Sequence, residues 1–225
     1  MDPIISVAID GPAAAGKSTV AKAVAKILGF TYIDTGAMYR AFTWYVIHKG
    51  LDPKDERASC ALIPEVSIEL KENGTVMCNE FDVTKEIREP LVSGNVSYIA
   101  SYKDIRLALV DMQRAMANSK SVVMDGRDIG TYVLPDAQVK IYQIASVETR
   151  AVRRYEENQS KGIPTTLSEV EEDVRKRDYI DSHREFAPLH PAKDSVFVDT
   201  SFMTIEESVE TVLRIIKEKT GVCAE

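Results

Sequence analysis

The sequence predicts an α/β fold, a three-layer sandwich in which helices cover both faces of a five-stranded parallel sheet. Three observations predict it. Short apolar, β-branched runs recur at residues 4–9, 31–33, 121–124, 139–145 and 195–198, the length and continuity of strands buried on both faces. Helical segments alternate with these runs. The first run passes through a glycine-rich loop directly into a helix and on to a second strand, which is a βαβ opening.

The run at 4–9 is stopped by Asp10-Gly11-Pro12. A helix over 17–28 follows, closed by Gly29 in the C′ position where a left-handed residue is needed. After the strand at 31–33, a helix over about 37–49 ends at Gly50. Residues 66–83 change character. Val66-Ser67-Ile68-Glu69-Leu70 alternates, and Asn73-Gly74 signals a type I′ hairpin, so a small antiparallel insert is expected. Thr84 is expected to cap a helix containing Ile87 and Leu91. The helix over 104–117 places Ile105, Leu109, Met112 and Met116 on one face. Polar, arginine-bearing helices over 147–159 and 168–181 flank the loop 161–166, and Ser168 with Glu171 forms a capping box. Thr204 with Glu207 forms another at the head of the last helix, 204–219. No repeat or low-complexity tract interrupts this order. The expected organisation is a core of 1–36, 103–148 and 190–225, an inserted region of 37–102, and a helical flap of 149–189.

Composition bounds the function. At 225 residues with 44% hydrophobic and 28% charged residues, the chain has a globular profile that excludes collagen-like and disordered classes. A chain of this length buries roughly 70–75% of its unfolded surface. Lys plus Arg is 28 against 35 Asp plus Glu, a net charge of −7, which argues against nucleic acid as a partner. A local cationic cleft for a small anion is still compatible with that charge. No apolar stretch reaches the ~18 residues of a membrane span, and Met1-Asp2-Pro3 lacks the basic start of a signal peptide. The three cysteines, Cys60, Cys78 and Cys223, form no CxxC pair, and the three histidines supply no zinc spacing. A cytoplasmic protein with free thiols is expected. It should be a monomer, since no apolar helix face is left over.

The loop Gly11-Pro12-Ala13-Ala14-Ala15-Gly16-Lys17-Ser18 matches GxxxxGK[ST] between a buried strand and a helix, the context that makes this a phosphate-binding loop. Glycines let backbone N–H groups converge on a phosphate, and the helix N-terminus adds partial positive charge. Lys17 suits the bridging position between β- and γ-phosphates, and the Ser18 hydroxyl suits Mg²⁺. Thr19 completes the nucleotide-binding run. A GTPase would add an NKxD reader and a motor would end a strand in two acidic residues. Neither pattern is present.

Arginine dominates the remainder. Arg40, Arg106 and Arg127 lie near element ends, while Arg150, Arg153, Arg154, Arg175, Arg177 and Arg184 crowd the flap. Arginine recognises phosphate oxygens bidentately and keeps its charge. Arg150 and Arg175 are read as helix-surface partners of nearby glutamates. Arg127, just past a buried strand, stands where α/β proteins bind ligands. Transfer between two phosphates needs alignment and charge neutralisation rather than a general base, because the attacking oxygen is already ionised.

Four strings in register, GPAAAGKST (11–19), IDTGAMYRA (33–41), DGRDIGT (125–131) and RDYIDSHREFAPL (177–189), make the chain resemble the bacterial cytidylate kinases over almost its whole length. The resemblance implies a P-loop kinase with a monophosphate-binding insert and a lid, transferring the ATP γ-phosphate to CMP or dCMP with Mg²⁺. It implies that Arg40, Arg127 and Arg184 hold the acceptor phosphate. Lys17, Arg127 and Arg184 then act in catalysis. Ser97, Arg106 and Asp128 read the base, and Arg177 and Asp181 contact the sugar. Arg154, ahead of Arg153, lies near ATP, and Asp34 is a weaker candidate for the metal's water shell beside Ser18. Position 35 is Thr where other members carry Ser, so a hydroxyl near the acceptor is retained. An ionised Asp128 accepts a hydrogen bond from the cytosine amine and repels the uracil carbonyl. That residue separates this reading from a UMP- or AMP-specific kinase. A regulatory nucleotide binder without turnover is the rival of another class.

Overall fold

The computed structural model describes residues 3–223. In chain order its strands and α-helices are β1 (Ser6–Asp10), α1 (Lys17–Leu28), β2 (Thr31–Asp34), α2 (Thr35–His48), α3 (Glu56–Ala61), β3 (Ile68–Leu70), β4 (Val76–Cys78), β5 (Phe81–Asp82), α4 (Pro90–Ile99), α5 (Lys103–Ala117), β6 (Val122–Gly126), β7 (Val139–Ile144), α6 (Val147–Ser160), α7 (Leu167–His183), β8 (Val196–Asp199) and α8 (Ile205–Thr220). Among the described residues two compact units result, one formed by 3–32 together with 120–223, the other by Ile33–Ser119.

The first unit is organised by the five-stranded sheet, order β2-β6-β1-β7-β8. β1 lies between β6 and β7 and is parallel to both, with Ile9 opposite Asp125 on one side and Ile141 on the other. A central parallel strand must be apolar on both faces, and Val7, Ala8 and Ile9 are fully buried. α1 and α8 cover one face through Val20, Val24, Val212 and Ile216. Gly29, at φ 65°, ends α1 and returns its N–H to the Ala25 and Lys26 carbonyls. At the head of α8 the capping box of Thr204 and Glu207 forms as expected.

At α7 the capping box lies two residues earlier than the sequence suggested. Thr166 and Glu169 form it, and the helix runs Leu167–His183. Both TxxE and SxxE patterns overlap there, and the earlier cap supplies more helix while Val170 and Val174 stay buried.

The second unit packs α2, α4 and α5 around the three-stranded antiparallel sheet β3-β4-β5, with Met38, Phe42, Ile68, Cys78, Ile87, Ile99, Ile105 and Leu109 in its core. α5 belongs here because its apolar face is part of that core. The hairpin at 71–75 differs from the type I′ turn expected. Gly74 is left-handed at φ 90° while Asn73 is not, the Gly74 N–H donates to the Lys71 carbonyl, and Lys71 N–H donates to Thr75. A type I turn followed by one left-handed glycine meets the strand twist with a single special residue. Thr84 also departs from expectation. Its hydroxyl accepts from Val76 N–H and donates to Asp82, so it closes the small sheet, and the helix starts later with Pro90 in its first turn.

Candidate active site

The carboxyl ends of β1, β6 and β7 gather the site residues of the first unit, as ligand crevices in parallel sheets do. Gly11 follows β1 at φ 150°, and a Cβ there would fall 1.9 Å from the Gln143 carbonyl oxygen of β7, so no other residue fits. The Gln143 side-chain amide donates to the Ala15 carbonyl at 2.6 Å. Ala14 is left-handed at φ 58°, and Gly16 is left-handed at φ 85° as the N-cap of α1, with no side chain capping the helix. The loop is therefore wound so that the N-terminus of α1 offers backbone donors to an anion.

Lys17 is 5% exposed, and its ammonium donates to the Pro12 carbonyl at 2.7 Å. Burial first, and then the positive charge of Arg127, push it down to about 7 against the pull of Asp125, Asp10 and Asp181. The Ser18 hydroxyl donates to Asp125 Oδ2 at 2.8 Å, and the Tyr32 hydroxyl donates to Asp125 Oδ1 at 2.8 Å. Among the described residues no group of three or more His, Cys, Asp or Glu could enclose a metal. A hydroxyl beside one buried carboxylate instead suits Mg²⁺, which keeps several waters and takes further oxygens from phosphates.

Arg150 corrects the sequence expectation of a surface arginine. It is 4% exposed and spans three partners. Nε donates to the Ala145 carbonyl and Nη1 to the Ala13 carbonyl, both at 2.9 Å, and Nη2 pairs with Asp178 at 2.7 Å. Asp178 in turn accepts from the Ala13 N–H at 3.3 Å. One residue from α6 and one from α7 thus hold both backbone polar groups of Ala13, the residue just before the left-handed Ala14. Arg175 behaves as expected, exposed and paired with Glu171 and Glu148. Arg153 donates to the Thr200 carbonyl at 2.6 Å, tying α6 to the segment after β8, whereas Arg154 pairs with Glu157 one turn along its own helix.

The segment after β6 carries the densest charge. Arg127 Nε donates to Asp181 Oδ2 at 2.7 Å, and Arg184 Nη2 lies 3.4 Å from Asp128 Oδ1, so two ion pairs join this segment to the end of α7. Arg184 Nε also donates to the Ala187 carbonyl at 2.7 Å, and Ala187 is left-handed. Burial pulls the Arg127 guanidinium down, but the Asp181 charge overrides it and leaves the group raised. Burial likewise opposes ionisation of Asp181, and the charges of Arg127, Arg177 and Arg184 override that, holding the carboxyl below its ordinary value. Of the sequence-predicted set, the structure brings Lys17, Arg127, Asp128, Asp181 and Arg184 together within this unit, with Arg177 one turn before Asp181 on α7. Behind them Asp10, 4% exposed, accepts from Ile129 N–H and Gly130 N–H at 2.8 and 2.7 Å. Burial pushes its carboxyl up to about 6 against those two bonds.

The second unit holds the other predicted residues. Asp34 caps α2 by accepting from Ala37 N–H at 2.7 Å, and pairs with Arg40 at 3.2 Å and Arg88 at 3.6 Å. Thr35 is the first residue of α2 and buried. Ser97 is buried on α4. Arg106, on α5, is 1% exposed, donates to the Ala100 carbonyl at 2.9 Å and lies over the Tyr39 ring at 5.2 Å.

Four residues escaped the sequence reading. Asp125 was set aside because the strand does not end in paired acids, yet its register opposite Ile9 aims it at Ser18. Asp10 read only as a strand stop. Arg150 read as a helix-surface partner of nearby glutamates and Asp178 drew no reading, and only their spacing on polar helices could have hinted at a shared inward face.

A family model described as cytidylate kinase matches residues 7–218. The cytidylate kinase of Oceanobacillus iheyensis is 52% identical over 219 residues, covering 96% of this chain and 95% of that protein. That of Geobacillus kaustophilus is 50% identical over 220 residues, covering 96% and 98%. Among solved structures, a gluconokinase from Sinorhizobium meliloti aligns with a TM-score of 0.52 at 14% identity, over 96% of this chain and 94% of that one. An uncharacterised protein from Eubacterium ventriosum aligns with a TM-score of 0.54 at 14% identity, over 95% and 98%. These two support the fold alone.

Proposed function

The chain belongs to the cytidylate kinase family, and from that premise we propose that it transfers the γ-phosphate of ATP to CMP or dCMP, giving ADP and CDP or dCDP, within the cytoplasmic nucleotide pool. It is an ATP-dependent phosphotransferase. The observation that carries the acceptor reading is the crossed pairing of Arg127 with Asp181 and Arg184 with Asp128, next to Lys17. Two oriented guanidiniums beside a phosphate-loop lysine suit a reaction in which both donor and acceptor are phosphates.

The residues divide as follows in this reading. The loop 11–19 cradles the ATP phosphates, Lys17 follows charge onto the transferring group, and Arg154 reaches ATP from α6. Arg127, Arg184 and Arg40 hold the acceptor phosphate, Arg177 and Asp181 the sugar, and Asp128, Arg106 and Ser97 the cytosine, with Thr35 near the acceptor. Mg²⁺ fits beside Ser18 and Asp125 and would neutralise phosphate charge there. Asp34 stays the weaker candidate for the metal's water shell, and as cap of α2 and partner of Arg40 and Arg88 it also orients Arg40. No general base is required, because a monophosphate oxygen is ionised at neutral pH. α6, the loop 161–166 and α7 form the lid that excludes water from ATP.

The test is ADP release from ATP and Mg²⁺ with CMP, dCMP, UMP, AMP and GMP in parallel. CMP and dCMP should turn over far faster than the rest. No turnover with any acceptor, alongside tight ATP binding, would overturn the kinase reading in favour of a regulatory nucleotide binder.

A further inference from the structure

Asp10 ends β1 and precedes Gly11, yet its side chain serves another segment. Its two carboxylate oxygens accept from two consecutive backbone groups, Ile129 N–H at 2.8 Å and Gly130 N–H at 2.7 Å. These are the first N–H groups of the wide helical turn Ile129–Val133, whose N-cap is Asp128. The far side of that turn is closed by Tyr132 N–H and Val133 N–H, which both donate to the Asp128 carbonyl at 2.8 and 3.1 Å. Asp128 itself sits at φ −145° and ψ 26°, outside the well-populated backbone regions. Its backbone is thus fixed from both sides, by its own carbonyl and by a carboxylate from a neighbouring strand. A Cβ on Gly130 would lie in ordinary contact with that carboxylate, 3.4 Å from Asp10 Oδ2, and tight against Lys140 Cγ and Cδ at 3.2 Å.

We propose that Asp10 is a positioning residue for acceptor selection: by bridging Ile129 N–H and Gly130 N–H it sets the aim of the Asp128 carboxylate, and so the preference for cytosine over uracil. The inference rests on the reading of Asp128 as the base reader. Asp10 makes no contact with substrate in this account, and it acts through the turn alone. Asp10 adds negative charge near the triphosphate site but also favours the protonated form of Lys17, and these two effects on ATP oppose each other. ATP affinity should therefore change little while base discrimination is lost.

Asp10→Asn tests this. Its amide keeps one acceptor and turns an N–H donor toward a backbone donor, so at most one of the two bonds survives. The ratio of kcat/KM for CMP over UMP should fall roughly tenfold or more, mainly through the KM for CMP, with the ATP Kd little changed. Gly130→Ala, which keeps Asp10 but sets a methyl group 3.2 Å from the Lys140 stem and so presses on the turn, is the second variant and should lower the same ratio by about threefold or more. An unchanged ratio in both variants, or an ATP Kd that rises as much as the KM for CMP, overturns the inference. A parent protein that does not prefer CMP to UMP removes the underlying Asp128 reading instead, so the two failures are distinguishable.

Discussion

Replacing Arg150 with methionine keeps an apolar stem of similar length and deletes the guanidinium. Three interactions go with it, to Asp178 at 2.7 Å and to the Ala13 and Ala145 carbonyls at 2.9 Å each. Breaking a buried pair by removing one partner costs about 3–5 kcal/mol, because the other charge stays behind. Asp178 is 24% exposed, so water recovers part of that cost. The two carbonyls add about 1 kcal/mol each where water cannot reach them. A net loss of about 3 kcal/mol follows, equivalent to a Tm lowered by roughly 6–12 °C in a chain of this size. Thermal unfolding followed by circular dichroism measures it. The companion variants Asp178→Asn and Arg150→Met with Asp178→Asn close a cycle. If the pair acts as a unit, the double variant is destabilised by at least about 1 kcal/mol less than the sum of the singles. A Tm within about 2 °C of the parent for Arg150→Met, with additive singles, would refute the reasoning and leave Arg150 as a packing stem.

Asp128→Ala should reduce turnover of CMP toward that of UMP while leaving ATP affinity nearly unchanged; an equal fall for both pyrimidines would remove its base-reading role. Asp125→Asn should raise the Mg²⁺ concentration needed for half-maximal activity roughly 10–100-fold, since the Ser18 hydroxyl loses its carboxylate; an unchanged Mg²⁺ titration would contradict the metal position. Lys17, lowered to about 7 in the free protein, is about nine-tenths neutral at pH 8, and triphosphate charge favours its protonated form. ATP binding at pH 8 should therefore take up close to one proton, seen by calorimetry in buffers of different ionisation enthalpy, and Lys17→Met should abolish the uptake. The folded pKa lies below the unfolded value of 10.5. The unfolded chain thus binds more protons between about pH 7 and 10.5, and this lysine makes the free protein more stable as pH rises through that window.

The glycine loop, the alternation of strands and helices and the final capping box were legible because each is a local pattern with one good solution. Gly11 shows the limit. Its place in GxxxxGK[ST] is plain from sequence, but the reason it admits no Cβ is the Gln143 carbonyl, 132 residues away. The cap of α7 was misplaced because two S/T-x-x-E patterns overlap, and local chemistry alone does not choose between Thr166 and Ser168. Thr84 was given to a helix because a threonine ahead of apolar residues has the same appearance whether it caps a helix or closes a hairpin. Asp125, Asp178 and Arg150 act on backbone or hydroxyl groups brought close only by tertiary structure. A charged residue on a polar helix carries no mark in sequence that its partner is a loop carbonyl.

The net charge of −7 and a site built for two phosphate-bearing substrates are reconciled by what the carboxylates do. Asp10 is taken up by backbone donors, Asp125 by two hydroxyls, and Asp178, Asp181 and Asp128 by Arg150, Arg127 and Arg184. The negative charge nearest the phosphate loop is thus used to orient cations and donors. A flexible arginine carries about 2 kcal/mol of rotamer entropy, which a ligand would otherwise have to remove on binding. Here Arg127 and Arg184 are held by Asp181 and Asp128 as part of the fold, so under the proposed acceptor role that ordering is complete before a phosphate arrives. The acidic residues of this region are the reason its arginines point in fixed directions, and a substitution that neutralised Asp181 would strengthen the positive field while loosening the geometry that makes the field useful.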